Sequence, residues 1–131
     1  QQAVIIKRMV EDLNFPVKVR VMPTVRQKDG LALSSRNVYL DNEQRKQAPV
    51  FSKALALAKF LIANGQRDAD RIISRMRQLI EKRQQAEIDY IAIVDLEKLD
   101  NIKNIGQDCL ISLAVRFGKT RLIDNALISY A

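Results

Sequence analysis

The sequence predicts an α+β fold: two long helices on a small, largely antiparallel three-stranded sheet, preceded by one helix and one strand left over from a parallel sheet. Three observations carry this reading. Two apolar stripes at helical spacing run through residues 42–64 and 68–83. Three strand-like segments follow, at 88–94, 109–117 and 121–129. Near the start, a helical pattern passes within a few residues into a valine alternation. With 131 residues the chain is long enough for one domain with a core of its own.

The elements follow in order. Ile5, Ile6, Met9, Val10 and Leu13 recur at helical spacing, with Lys7, Arg8, Glu11 and Asp12 opposite. Asn14 and Pro16 end that helix. Val17, Val19 and Val21 then alternate with Lys18 and Arg20, a strand signature. From Met22 to Leu40 no clean period survives; Pro23, Asp29-Gly30 and Ser34-Ser35 are loop residues. Asp41, with Gln44 three residues on, predicts a capped helix over about 42–64, buried through Val50, Phe51, Ala54, Leu57, Ala58 and Leu61 and stopped by Asn64-Gly65. Asp68 or Asp70 starts the next helix, buried through Ile72, Ile73, Met76, Leu79 and Ile80, with Lys82 and Arg83 in its last turn. In 109–117, Cys109, Ile111, Leu113, Val115 and Phe117 share one face, and Gly118-Lys119 makes a tight turn into the last strand.

Composition narrows the chemistry. There is no histidine, so no Ser-His or Cys-His nucleophile pair is expected and a zinc site is disfavoured. The single cysteine, Cys109, permits no internal disulfide and reads as a small core residue, in keeping with a reducing cytoplasm. No apolar run approaches a membrane span, and no signal peptide is expected from the opening residues. Because the chain opens Gln1-Gln2-Ala3 directly on a helical pattern, it is expected to be a fragment whose upstream part is missing. A net charge of +7 suits anionic partners, but the basic residues are scattered and aromatics are few, which disfavours a stacking surface for nucleic acid.

The stretch Pro23 to Asn37 is the most informative. It follows the predicted parallel strand, and ligands in open α/β sheets bind just beyond strand carboxyl ends. Ser34, Ser35 and Arg36 place two hydroxyls and a planar guanidinium in succession, all able to contact phosphate oxygens. By composition alone the same stretch also reads as a solvated linker. Gly118-Lys119-Thr120 ends like a P-loop, but the glycine required five positions earlier falls on Leu113 inside a strand, so the turn reading stands. Arg71, Arg75, Arg77 and Arg83 read as a solvated helix face, and Tyr39, Tyr90 and Tyr130 as packing residues.

The run PTVRQKDGLALSSRNVYL resembles the signature loop of the pantothenate synthetase family, also called pantoate–β-alanine ligases. Gln1-Gln2 resembles the end of that family's Lys-Asp-x-Gln-Gln segment, and AVRFGKTRLIDN its C-terminal pattern. The resemblance implies two domains: residues 1–22 as the last part of a Rossmann-like nucleotidyltransferase domain, and 23–131 as a C-terminal lid carrying the ATP-binding loop 23–37. It implies a reaction in which ATP, with Mg²⁺, activates pantoate as pantoyl adenylate and β-alanine then displaces AMP. By position, it implies that Gln2 holds pantoate and that the Val25 backbone meets the adenine side of ATP. Leu33, Ser34, Ser35 and Arg36 would grip the phosphates, Leu33 standing where the family usually has Met. No catalytic residue and no metal ligand is expected in this chain, which would be inactive alone. A cytoplasmic homodimer formed through the N-terminal domain is implied, with no nucleic-acid or membrane partner. The competing readings are a basic RNA-binding module of a synthetase-like enzyme and an interaction domain without a ligand.

Overall fold

The computed structural model describes residues 1–130. The first helix, α1, spans Gln2–Asp12. A short 3-10 turn, Ser35–Tyr39, precedes α2 (Asn42–Gln47), α3 (Val50–Ala63) and α4 (Ala69–Glu81). Strands β1 (Ala86–Asp95), β2 (Cys109–Phe117) and β3 (Thr120–Ile128) close the chain. They form one antiparallel sheet in the order β1-β2-β3.

The α+β unit is therefore as expected, and the sheet is wholly antiparallel. Cys109, Ile111, Leu113, Val115 and Phe117 alternate onto one face and are fully buried. Helices α3 and α4 pack on that face, α3 toward β3 and α4 toward β1. The centre of the core is Phe51, Ile72, Met76 and Ile80 from the helices against Ile93, Ile111, Leu113, Val115 and Phe117 from the strands. The rings of Phe51 and Phe117 lie 6.1 Å apart in a tilted pair. Phe117 then pairs with Thr120 across the tight turn, where Gly118 holds a φ of +57°.

Two expectations are corrected. The helix over 42–64 is two helices, because Pro49 has no N–H to donate and breaks the ladder between Gln47 and Val50. The second piece buries Val50, Phe51, Ala54, Leu55, Ala58 and Ile62, so Leu55 and Ile62 take the central places assigned to Leu57 and Leu61. Asp41 does form the capping box with Gln44, and Asp68 caps α4 by accepting from the Arg71 N–H.

The second correction concerns residues 17–21. The valine alternation forms no strand, because a ladder needs a neighbour and no described segment comes alongside. The one backbone bond there is local, from the Val17 N–H to the Phe15 carbonyl at 2.8 Å. Helix α1 forms as expected, yet none of its residues is buried: Ile5, Ile6 and Met9 face solvent, as does Leu13 just past its end. Its tie to the rest is the Arg8 guanidinium, which donates to the Glu97 carbonyl at 2.9 Å.

Candidate functional site

The stretch read as a loop has a hairpin of its own. The Leu33 N–H donates to the Val25 carbonyl (2.9 Å) and the Gln27 N–H to the Leu31 carbonyl (2.8 Å), with Arg26 opposite Ala32. Three fixings seat this hairpin on the α+β unit. Leu31 enters the core, 3% exposed. Gly30, at φ +90°, lies so close to α3 that a Cβ there would stand 2.5 Å from Ser52 Oγ. The Asp29 carboxylate takes the Arg45 guanidinium of α2 at 2.6 Å, and Arg45 also bonds Gln27. That ion pair holds the Asp29 carboxyl below its ordinary range.

The fourth fixing reaches the far end of the sequence. Arg26 Nη1 and Nη2 donate to the two Asp124 oxygens at 2.6 and 2.9 Å, a fork that satisfies both groups in β3 and hairpin together. Nη1 also donates to the Gly30 carbonyl at 3.0 Å, which closes the hairpin tip. The Asp124 hydrogen bonds raise the Arg26 guanidinium above its ordinary value, against a smaller cost of burial.

From this base the chain turns into the 3-10 segment. Ser34 caps it, its Oγ accepting from the Arg36 N–H at 3.2 Å, while Asn37 Nδ2 donates back to the Ala32 carbonyl at 3.0 Å. A cavity of about 160 Å³ opens between this turn and the edge of β3, lined by Leu31, Ala32, Ser34, Arg36, Asn37 and, across it, residues 121–124 with Phe51. Arg36 spans the gap, with Nη1 donating to the Arg121 carbonyl at 3.3 Å, a long bond. It is exposed and forms no ion pair among the described residues. The other cations near it are engaged: Arg26 by Asp124, and Arg121, with Arg116, by Asp89 at 2.5 and 3.0 Å. Those two guanidinium contacts, Arg121 first, hold the Asp89 carboxyl below its usual range.

The expected site residues thus divide. Ser34 and Arg36 line the cavity, and Ser35 sits between them, exposed at the first position of the 3-10 turn. Val25 and Leu33 face solvent as neighbours across the hairpin, outside the cavity wall. Gln2 is exposed on α1 and is not part of the cavity wall. The residues that sequence reasoning missed are Arg26 and Asp124, whose pairing has no local signal, and Asn37. Among the described residues, no three His, Cys, Asp or Glu side chains gather as metal ligands.

Among the described residues the arrangement offers hydroxyls and one unneutralised guanidinium around a small cavity, the chemistry of an anion cradle. The family model for pantoate-beta-alanine ligase matches residues 1–127, a range that includes the hairpin, the 3-10 turn and Asp124. The chain belongs to that family. Among its relatives, a pantothenate synthetase from Heliobacterium modesticaldum is 49% identical over 132 residues, covering 98% of this chain and 46% of the relative. One from Acetivibrio thermocellus is 46% identical over 128 residues, with the same coverage. The crystal structure of pantothenate synthetase from Thermus thermophilus superposes with a TM-score of 0.89 at 40% identity, over 95% of this chain and 45% of that one. A pantoate-beta-alanine ligase from Francisella tularensis, crystallised with beta-gamma ATP and beta-alanine, gives 0.60 at 31% identity, over 96% and 39%. The chain therefore spans about half the length of the curated family members it matches.

Proposed function

We propose that this chain supplies the phosphate-gripping part of an ATP-dependent ligase that joins pantoate to β-alanine. The observation that carries the reading is Arg36, free of any carboxylate among the described residues, beside Ser34 and Ser35 on the lip of the cavity. The relatives' shared name and the Francisella complex support the substrate set. In the reaction, a pantoate carboxylate oxygen attacks the α-phosphorus of ATP, the bond to the bridging oxygen breaks, and pyrophosphate leaves. The β-alanine amine then attacks the acyl carbon and AMP departs, giving pantothenate. Negative charge grows on the departing pyrophosphate, and fixed donors aimed at it lower that barrier. Ser34, Ser35 and Arg36 are those donors, and the exposed Leu33 beside them is free to meet the nucleotide. The Val25 N–H makes no bond among the described residues, which leaves it free for an acceptor on the adenine edge. Gln2 would hold pantoate from α1.

The chemistry of this donor set does not suit a resident metal. Among the described residues Asp124 is the one carboxylate in the cavity wall and is taken up by Arg26, so Mg²⁺ would arrive as the counter-ion of ATP. Residues 1–22 would pack with a Rossmann-like nucleotidyltransferase domain, leaving 23–131 as the lid. The exposed apolar stripe of α1 fits that division. The dimer contact would lie in the Rossmann-like domain, and the working compartment would be the cytoplasm; among the described residues no helix is long and apolar enough to cross a membrane. An RNA-binding surface is less well supported, since Arg71 and Arg77 on α4 are drawn into contacts with Asp68 and Glu81.

The test is pantoate-dependent pyrophosphate release from ATP by this chain joined to the upstream half of the Heliobacterium modesticaldum relative. Release that vanishes without pantoate, and pantothenate formed once β-alanine is added, are the expected results. A folded chimera that releases no pyrophosphate would sink the proposal. The 131-residue chain alone is expected to make no pantothenate.

A further inference from the structure

We infer that Asp124 is a positioning residue for the Ser34–Arg36 segment, acting through Arg26. This rests on the reading of that segment as the phosphate grip. The path runs through the ion pair, the hairpin pairing and one side-chain bond. Asp124 sits in the middle of β3 on its buried face, with its side chain 1% exposed, so the carboxylate is held by the sheet itself. It accepts both Arg26 nitrogens, and no other cation among the described residues bonds it. Arg26 lies opposite Ala32 in the hairpin. Ala32 in turn accepts from Asn37 Nδ2, and the next residue but one is the Ser34 cap.

Both ends of the cavity are set by this one strand. Asp124 anchors the hairpin leading into the turn, and three residues earlier the Arg121 carbonyl meets Arg36 itself. A planar fork to a carboxylate fixes direction as well as distance, which a single lysine nitrogen would not. The hairpin has other fixings, at Leu31, Gly30 and Asp29, and these hold its tip. Arg26 and Asp124 fix the base from which Ser34–Arg36 departs. Groups that already hold the ATP phosphates in the bound complex weaken ATP binding, and so raise KM, when displaced by about 1 Å.

The experiment uses the chimera described above, with Arg26→Lys and Asp124→Asn. Two quantities are read for each: KM for ATP in pyrophosphate release, and the rate at which β-alanine consumes supplied pantoyl adenylate. KM does not depend on how much of the enzyme is folded, so a loss of folded fraction alone leaves it unchanged. We expect KM for ATP to rise about tenfold in both variants, while the adenylate-consuming step, corrected for active enzyme, stays within about twofold. Unchanged KM in both variants, equal losses in the two half-reactions, or complete loss of both would each overturn the inference and leave the pair purely structural. A parent chimera without pantoate-dependent release would take down the phosphate reading, and this inference with it. A parent that works beside variants with unchanged KM would remove the inference alone.

Discussion

The Arg26 guanidinium and the Asp124 carboxylate meet across 98 residues of sequence, and their burial is unequal: the Asp124 side chain is 1% exposed and that of Arg26 30%. That inequality predicts which substitution hurts more. Arg26→Ala leaves a carboxylate that water barely reaches, whereas Asp124→Ala leaves a guanidinium that can turn to solvent. Removing one partner of a fully buried pair costs roughly 3–5 kcal/mol. We expect Arg26→Ala near the lower end of that range, about 3 kcal/mol, and Asp124→Ala at about 1–2 kcal/mol once solvent access is counted. Urea unfolding of the 131-residue chain measures both, and the reverse order would contradict the account.

Gly30→Ala tests the seating of the hairpin tip on α3. Two costs are separable. A φ of +90° disfavours any side chain, and the new Cβ would lie 2.5 Å from Ser52 Oγ. We expect a loss of about 2–3 kcal/mol, above the roughly 1–2 kcal/mol of left-handed backbone alone. Removing the hydroxyl with Ser52→Ala relieves the closer contact and leaves the residue-52 Cβ at 3.1 Å and the backbone cost, so a double-mutant cycle should show favourable coupling. Additive losses would mean that the tip does not press on Ser52.

These two contacts also show where sequence reading stops. Strand β2 was legible to the residue, because alternation from Cys109 to Phe117 and the Gly118-Lys119 turn are both local signals. The Asp41 cap was legible for the same reason, and Asp68 was one of two candidates, with Asp70, until the structure chose it. Pro49 carried a local signal too, and the apolar stripe running through it masked the break. Val17, Val19 and Val21 have the alternation of a strand but no partner among the described residues, and alternation cannot supply one. In the site, Ser34 and Arg36 were named from residue type and order, and the cavity brings them together. Asp124 was hidden: a lone carboxylate in a strand says nothing until the fold sets Arg26 beside it.

Acid should destabilise the chain through carboxylates whose folded pKa values are depressed. Asp29 is lowered mainly by Arg45, Asp89 mainly by Arg121 and then Arg116, and Asp95 mainly by the Lys98 N–H with those of Asp100 and Glu97. Each binds its proton less readily folded than unfolded, so each contributes stability above the unfolded value, near 3.8, that disappears as pH falls through the lower folded value. The chain has no histidine to titrate nearer neutrality. The urea midpoint should therefore hold nearly level from about pH 7 to 5 and decline below about pH 4. Asp95→Asn should flatten part of that decline; an unchanged acid slope would assign the effect elsewhere.

Arg36→Ala separates function from fold within the site. Its side chain is exposed, unpaired with any carboxylate among the described residues, and held by one long bond to the Arg121 carbonyl at 3.3 Å. Such a group contributes little to stability, and we expect a change within about 0.5 kcal/mol. If it stabilises charge on the departing pyrophosphate, its loss should slow pantoate-dependent pyrophosphate release by roughly 10²–10³-fold in the chimera. Arg36→Lys keeps the charge but not the fork, and should recover only part of that loss. The contrast with Arg26 is what gives the pair of experiments its force. The two arginines are ten positions apart in one short segment, and one is committed to a buried carboxylate while the other is left open. Arg26→Ala should lower stability first, and Arg36→Ala should lower turnover first. Equal pyrophosphate release by Arg36→Ala and parent would show that this guanidinium does not touch the phosphates.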